Sequence, residues 1–204
     1  MSTVRLIAIT KPVIPECTES GDLIAYCARV SNPANQRNTE TAPKLLAYLK
    51  KNAHWSPFEM ASMTLEIVTT RDIGRQILRH RSFSFQEFSQ RYADASQLGF
   101  EISEARLQDQ KNRQNSIVTD DEELDSWWQG LQEDLVDAIR NQYSVALKLG
   151  IAKEQARKIL PEGLTMSRLY MSGSIRSWIH YCELRSAHGT QKEHMLIAQN
   201  IWKQ

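Results

Sequence analysis

The chain has 204 residues, 41% of them apolar and 24% charged, which is enough for one sizeable domain with its own core and too apolar for wholesale disorder. Lys and Arg total 25 against 24 Asp and Glu, a formal net charge of +1, which argues against a histone-like or polybasic membrane-binding protein but not against a local basic site. No apolar run approaches about 18 residues, and Met1–Pro15 carries Arg5, Lys11, Pro12 and Pro15 without a long apolar segment, so neither a transmembrane helix nor a secretory signal is expected.

Arg5–Ile9 reads as a short buried strand closed by Pro12 and Pro15. Ser20 is the expected cap of a helix to Val30 with Leu23, Tyr26, Cys27 and Val30 on one stripe, broken by Asn32-Pro33. Thr41 and Pro43 open a second helix through Lys51 that packs Leu45, Leu46 and Leu49. His54–Glu59 is a loop entering a strand in which Met63, Leu65 and Ile67 alternate with Ser62, Thr64 and Glu66. A helix follows from Arg71 to Arg81. Residues 93–118 are polar and show no clear period. Thr119–Glu122 has a capping-box pattern before a long helix with the stripe Leu124, Trp127, Trp128, Leu131, Leu135, Ala138 and Ile139, ended by Gly150. Ala152–Leu160 is a further helix stopped by Pro161, Thr165–Met171 a strand, and Ser174–His188 a helix ended by Gly189. Thr190–Glu193 is a second capping box opening the last helix. Helices dominate about three strands that do not alternate as βαβ, so the expected class is α+β: a single domain over 1–204 with a small, mostly antiparallel sheet packed by helices.

Charge is uneven. Residues 71–91 hold five arginines against Asp72 and Glu87, a local +3, whereas residues 114–138 hold eight acids and no base. The acidic stretch reads as a solvated helix face. On a helix, Gln76, Arg79 and His80 would share a face, and Arg79, His80 and Arg81 would repel one another unless anions sat among them. Arginine suits phosphate because its planar fork gives two parallel charge-assisted bonds. The following Ser82–Tyr92 mixes three phenylalanines with hydroxyls, amides, one acid and Arg91. That inventory fits a nucleotide, through Ser89 and Arg91 for phosphate and Gln86 and Glu87 for a base edge. It also fits single-stranded nucleic acid, whose bases stack on aromatics.

The residues here reach a family. Arg79-His80-Arg81, seven residues and then Ser89 resemble the R-H-R-x7-S signature of the flavin-dependent thymidylate synthases. His54–Glu59 resembles that family's H-x-(T/S)-P-F-E segment, and Ala28–Ser31 its A-R-V-S. Ala156-Arg157 with Leu160-Pro161 resembles A-R-x-x-L-P. Ser174–His180 with Leu184-Arg185 resembles N-x-R-S-x-x-(N/H) followed by L-R. These five ordered matches span residues 28–185.

The resemblance implies reductive methylation of dUMP to dTMP. Methylene-tetrahydrofolate would supply the carbon, and FAD reduced by NADPH would supply the hydride, with no covalent enzyme nucleophile. Carried over by position, Ser31, Ser56, Glu59, Arg79, His80, Arg81, Glu87, Ser174, Arg176 and His180 would contact FAD. Gln76, Arg79, Glu87, Ser89, Gln90, Arg91, Arg157 and Arg185 would hold dUMP. His54 would lie near flavin and folate, and Arg185 would stabilise charge on the uracil ring. The resemblance also implies a cytoplasmic homotetramer with sites built from several subunits, and neither nucleic acid nor membrane as partner.

The chemistry agrees with those roles. A pyrophosphate and a nucleotide monophosphate together carry about four negative charges, and arginines in several segments are the matching donors. Arg176 and Arg185 lie nine residues apart, about 900° at about 100° per residue, so they point to opposite sides of one helix and would serve two ligands or two sites. Ser174 stands where the family often has asparagine, and Met60 where it often has histidine. The segment from Leu160 to Arg168 is one residue longer than the family's shorter version, and relatives commonly continue beyond the position of Gln204. Cys17, Cys27 and Cys182 are widely spaced, suit a reducing compartment and form no zinc pattern. His188 and His194 read as structural; with His180 they lack the acidic or cysteine partners of a metal set. Trp127 and Trp128 read as core or subunit-interface residues.

Overall fold

The computed structural model describes residues 2–204. In chain order the elements are β1 (Thr3–Ile9), α1 (Ser20–Ala28), α2 (Ala42–Lys51), a 3-10 turn at Ser56–Met60, β2 (Ser62–Thr70), α3 (Arg71–Ile77), β3 (Ser84–Glu87), β4 (Arg106–Gln108), β5 (Ser116–Val118), α4 (Glu122–Lys148), α5 (Lys153–Ala156), β6 (Met166–Ser174), α6 (Ile175–Arg185) and α7 (Lys192–Ile201). One sheet has the order β1-β2-β6-β3 and is antiparallel throughout; β4 and β5 form a separate hairpin. The mixed class and the small antiparallel sheet agree with the sequence reading.

The sheet follows from the period-two pattern. Register pairs Leu65 with Met171 and Ile67 with Leu169, so these four side chains share one face. All four are at 0% exposure, under Ile73, Ile77, Trp178, Tyr181 and Ile197 from α3, α6 and α7. Each such burial contributes roughly 1.5–3 kcal/mol before chain entropy is counted. Gly173 is required here, because a Cβ on it would lie 2.5 Å from the Phe83 ring that stacks edge-on against Trp178. A second core joins Ile24 of α1, Leu49 of α2 and Phe58, and leans on Ile175 and Ile179 of α6. A third, smaller one joins Ala95, Tyr143 of α4 and Ala156 of α5.

Several expected boundaries move. Ser20 does not cap α1: Glu19 is the N-cap residue, the Asp22 carboxylate accepts from Thr18 and Glu19, and the Ser20 hydroxyl donates to the Thr10 carbonyl. The buried residues of α1 are Ile24 and Ala25, while Val30 is 70% exposed. Arg29 is buried and donates to the Asn38 carbonyl and the Thr41 hydroxyl, which ties α1 to the approach to α2. The third helix stops at Ile77, so Arg79, His80 and Arg81 occupy a turn and are not helical. Residues 84–87 form a sheet strand that the sequence reading did not see, and residues 106–118 contain the hairpin. The long helix is capped by Asp121, not Thr119, and Gln191 is the N-cap residue of α7, with no side-chain cap bond. The expected helix 152–160 is one turn of α-helix and one of 3-10 helix, and α6 ends at Arg185, three residues before His188. Gly150 and Gly189 do follow helices in the left-handed conformation, at φ 83° and 90°.

Candidate active site

The turn after α3 and the end of α6 meet. Arg185 Nε donates to His80 Nε2 at 2.9 Å, so this histidine is neutral with its proton on Nδ1. Burial, helped by the Arg185 charge, pushes His80 down to about 4. Its ring stands edge-on to Tyr181, 4.8 Å between centroids. Among the described residues, the exposed Arg79 and Arg81 enter no ion pair or side-chain hydrogen bond. The end of α3 thus offers two unpaired guanidiniums beside a neutral imidazole.

Gln76 lies just beneath. Its Nε2 donates to Gln191 Oε1 at 2.7 Å, and its Oε1 faces His194 Nδ1 at 3.2 Å. His194 Nε2 meets the Tyr181 hydroxyl at 2.9 Å. With Gln76 Oε1 as acceptor, His194 carries its proton on Nδ1 and accepts from Tyr181 on Nε2. Burial, with the Arg185 charge and the neighbouring His80, lowers His194 to about 3, and burial raises the Tyr181 hydroxyl above its ordinary range. Both groups therefore keep their neutral forms.

A second group forms where the 3-10 turn at Ser56–Met60 meets the start of α6. Ser174 caps that helix by accepting from the Ser177 amide. Arg176 Nη1 donates to Glu59 Oε1 at 2.9 Å. The Ser174 hydroxyl, then Arg176, hold the Glu59 carboxyl below its ordinary value. His180, one turn along from Arg176, packs against Trp55 with 4.3 Å between ring centroids and the ring planes tilted by 60°. Ser56, which begins the 3-10 turn, is exposed, as is Ser31 after α1. His54 is exposed and follows Ala53, a non-glycine residue at φ 55° that ends α2.

The remaining predicted residues fall in two more places. Glu87 ends β3 and accepts from the Ser167 hydroxyl at 3.0 Å, with Arg71 at 3.5 Å and Arg75 at 3.6 Å. Ser89 and Arg91, with Tyr92, Ala152, Lys153 and Glu154, line a surface cavity of about 440 Å³. There Arg91 lies 3.5 Å from Glu154, and Lys153 donates to the Tyr92 carbonyl at 2.9 Å. Arg157 follows directly after α5 and is half-buried. Gln90 is 5% exposed, and its Nε2 has no partner among the described residues. A cavity of about 520 Å³ between the β4–β5 hairpin and α4 contains none of the predicted side chains, so volume alone does not locate the site.

The predicted residues thus gather into four groups, and the protomer does not join all of them by direct contacts. The sequence reading missed Tyr181, Gln191, His194 and Trp55. Gln191 and His194 sat in a segment that reads as helix start, and no period marks a buried histidine as a partner of a distant glutamine.

The match to known proteins is direct. The family model described as thymidylate synthase complementing protein matches residues 13–204. A flavin-dependent thymidylate synthase from Synechocystis sp. is 54% identical over 198 residues, 96% of this chain and 90% of that protein. A probable flavin-dependent thymidylate synthase from Paramecium bursaria Chlorella virus 1 is 53% identical over 194 residues, 95% of this chain and 89% of that protein. This chain belongs to the flavin-dependent thymidylate synthase family. Among solved structures, a UMP/dUMP methylase from Streptomyces cacaoi, bound with 5-Br dUMP, superposes with a TM-score of 0.77 at 25% identity, covering 100% of this chain and 89% of that one.

In this flavin-dependent thymidylate synthase family member, the donor set fits a phosphorylated, aromatic cofactor. Among the described residues Arg79 and Arg81 are unpaired cations, and Trp55 with His180 offers aromatic surface.

Proposed function

We propose that this enzyme converts dUMP to dTMP, taking the carbon from methylene-tetrahydrofolate and the hydride from FAD reduced by NADPH. The observation that carries this reading is the contact between His80 and Arg185, which sets a third guanidinium beside the unpaired Arg79 and Arg81. Bound FAD supplies the redox chemistry, so the protein's work is binding, orientation and electrostatics. Arg79, Arg81 and His80, with Ser31, Ser56, Glu59, Ser174, Arg176 and His180, hold FAD. Gln76, Ser89, Gln90, Arg91, Arg157 and Arg185 hold dUMP, and Arg79 and Glu87 serve both ligands.

Arg185 uses Nε on His80, and among the described residues its two Nη groups are free to face the uracil oxygens. A guanidinium there stabilises the negative charge that makes C5 nucleophilic. His54 stands near flavin and folate. In that reaction C5 would bond to the methylene carbon and give up its proton, the bond from that carbon to the folate nitrogen would break so that tetrahydrofolate leaves protonated, and a hydride supplied by the reduced flavin would complete the methyl group. No enzyme nucleophile is used. Cys182 is 2% exposed with its thiol pushed up to about 12 by burial, and burial also raises Cys17. Three free cysteines suit a reducing cytoplasm, and 1–204 acts as one domain within a homotetramer. Separation of the four groups in the protomer supports sites completed by neighbouring subunits.

The test is a purified full-length protein. It should be yellow, bleach with NADPH, and form dTMP only when dUMP and methylene-tetrahydrofolate are both present. A colourless protein that takes up no added FAD refutes the reading. Arg81→Ala should weaken FAD retention by roughly 1.5–3 kcal/mol, the value of one hydrogen bond to a charged group.

A further inference from the structure

Gln76 is half-buried near the end of α3, and two side chains, Gln191 at the N-cap of α7 and His194 within α7, hydrogen-bond to it. A primary amide has two N–H donors and two acceptor lone pairs. Gln191 takes one N–H at 2.7 Å, and His194 occupies one lone pair at 3.2 Å. One N–H therefore remains for a ligand. His194 is 0% exposed and Tyr181 is 2% exposed, so the imidazole has no room to turn away. Its own orientation is fixed at the far nitrogen by Tyr181, 2.9 Å away. A flip of the Gln76 amide would set its N–H groups against His194 Nδ1–H and its oxygen against Gln191 Oε1. Both contacts would become repulsive unless the whole chain reversed.

The polarity matters because, besides a ring N–H and a sugar hydroxyl that donate, a pyrimidine nucleotide presents phosphate and ring carbonyl oxygens, which only accept. An amide held with its oxygen inward offers them a donor; the flipped amide would offer another acceptor. The centroid of His80, the imidazole bonded to Arg185, lies 6.2 Å from that of His194. The fixed amide is thus built into the base of the same cluster.

We propose that His194 is a positioning residue for nucleotide binding: by donating from Nδ1 to Gln76 Oε1 it keeps the Gln76 carboxamide turned so that a free N–H serves the nucleotide. This rests on the proposed role of Gln76 in holding dUMP. His194 itself touches no substrate.

The test is the dissociation constant of dUMP, measured by titration calorimetry on the full chain, beside the melting temperature of each variant. His194→Gln carries its amide out to the Nε2 position and loses the donor at Nδ1. It should weaken dUMP roughly threefold to tenfold, the value of one neutral hydrogen bond. His194→Asn places an amide nitrogen near Nδ1 and loses only the Tyr181 contact, so it should bind dUMP within about twofold of the parent. In a Gln76→Ala background, His194→Gln should have no further effect, because it acts through the amide that is gone.

A structural role alone predicts something else. Both His194 variants would then weaken dUMP in step with melting temperature, and the loss would persist in the Gln76→Ala background. Either result overturns the inference. Gln76→Glu provides a variant outside the core. It still accepts from His194 but has no N–H to give, and should lose dUMP binding at least tenfold. Parent-like binding by Gln76→Glu also overturns the inference. A parent that binds no dUMP overturns the proposed function and this inference with it, whereas a parent that binds dUMP while the two substitutions act additively overturns the inference alone.

Discussion

The sheet with α6 and the long helix α4 are built from similar apolar patterns and end up in different surroundings. On the sheet, Leu65, Ile67, Leu169 and Met171 are at 0% exposure, and α6 buries Trp178, Tyr181 and Cys182 against them. On α4, Trp127 is 61% exposed, Leu131 47% and Leu135 46%. The residues of α4 that turn inward are Gln132, Val136 and Tyr143. Positions 132 and 136 lie about 140° round the helix from 127 and 131, at about 100° per residue. The helix therefore has two working faces. The inner one is partly polar: Gln132 brackets Ser103 with hydrogen bonds to its amide, hydroxyl and carbonyl, and the Tyr143 hydroxyl accepts from the Ala95 amide. The outer one is apolar and largely exposed, and its Trp127 borders the cavity beside the β4–β5 hairpin. A stripe of leucines reveals a buried face but not whose core it enters.

The largest expected effect tests that contrast. Leu169→Ala removes a fully buried side chain from the sheet and should cost about 2–5 kcal/mol of stability in a denaturant titration. Leu131→Ala should leave the stability of a dilute protomer within about 0.5 kcal/mol, as surface substitutions do. Leu131→Asp should leave the circular dichroism spectrum unchanged and shift the light-scattering mass below that of the parent assembly. If Leu131→Asp assembles like the parent, the outer face of α4 is not a subunit contact.

A second contrast lies within the site. The His80–Arg185 group is held by contacts inside one protomer, whereas Ser89 and Arg91 sit at an open surface cavity near α5. Arg185→Ala should lower turnover at saturating dUMP by roughly 2.7–4 kcal/mol in barrier, if it acts as one preorganised donor to a developing anion. Flavin reduction by NADPH, followed separately, should change much less. Ser89→Ala should instead raise the dUMP concentration needed and keep turnover at saturation. Parent-like saturating turnover in Arg185→Ala would move ring activation to another residue. A dead Ser89→Ala that binds dUMP normally would mean that the serine does more than hold phosphate.

The same contrast explains what was readable. The alternation of Met63, Leu65 and Ile67 predicts β2 because one face alone meets the core, and Gly150 marks a helix end because left-handed backbone favours glycine, whereas Gly189, also left-handed, lies four residues beyond the end of α6. The α4 stripe was read as one face although Leu124, Trp128 and Ile139 are half-buried while Trp127, Leu131, Leu135 and Ala138 are exposed. Its unusual width was the available signal of two partners. The site segments were legible through the five family resemblances, not through period. That Arg185 meets His80, 105 positions away, depends on α6 following β6 back past the turn after α3, which no local pattern encodes. Gln191 and His194 escaped for the same reason. Arg71 and Arg75, counted as part of one basic patch, are instead paired with Glu87 and Glu162.

The smallest effect concerns two histidines, the buried His194 and the half-buried His80, which separate the interior half of the site from its exposed half by pH. His80 lies at about 4 and His194 at about 3 in the folded chain, against an ordinary 6.5, because burial and neighbouring positive charge oppose their protonation. The unfolded chain binds these protons below about pH 6.5 and the folded chain does not. Their contribution to stability is therefore fully present above pH 6.5 and is lost as pH falls toward 4 and 3. Carboxylates act lower down: Asp22, Glu59, Glu66 and Glu162 are held below their ordinary values of 3.8 or 4.5, so their stabilisation fades only below about that range. The window from pH 6.5 to 5.5 therefore isolates histidine. For His194, which Tyr181, Gln76 and the nearby Arg185 and His80 surround, the expected loss over that window is about 1 kcal/mol; for partly exposed His80 it is smaller, because solvent screens the charge. Replacing His194 with Asn removes the titrating group, so the difference in unfolding free energy between pH 6.5 and 5.5 should shrink by about 1 kcal/mol in that variant. Equal pH slopes in parent and variant would mean that the interior opens to protons at His194, and that the hydrogen-bonded base of the site is no more closed than the cavity at Ser89.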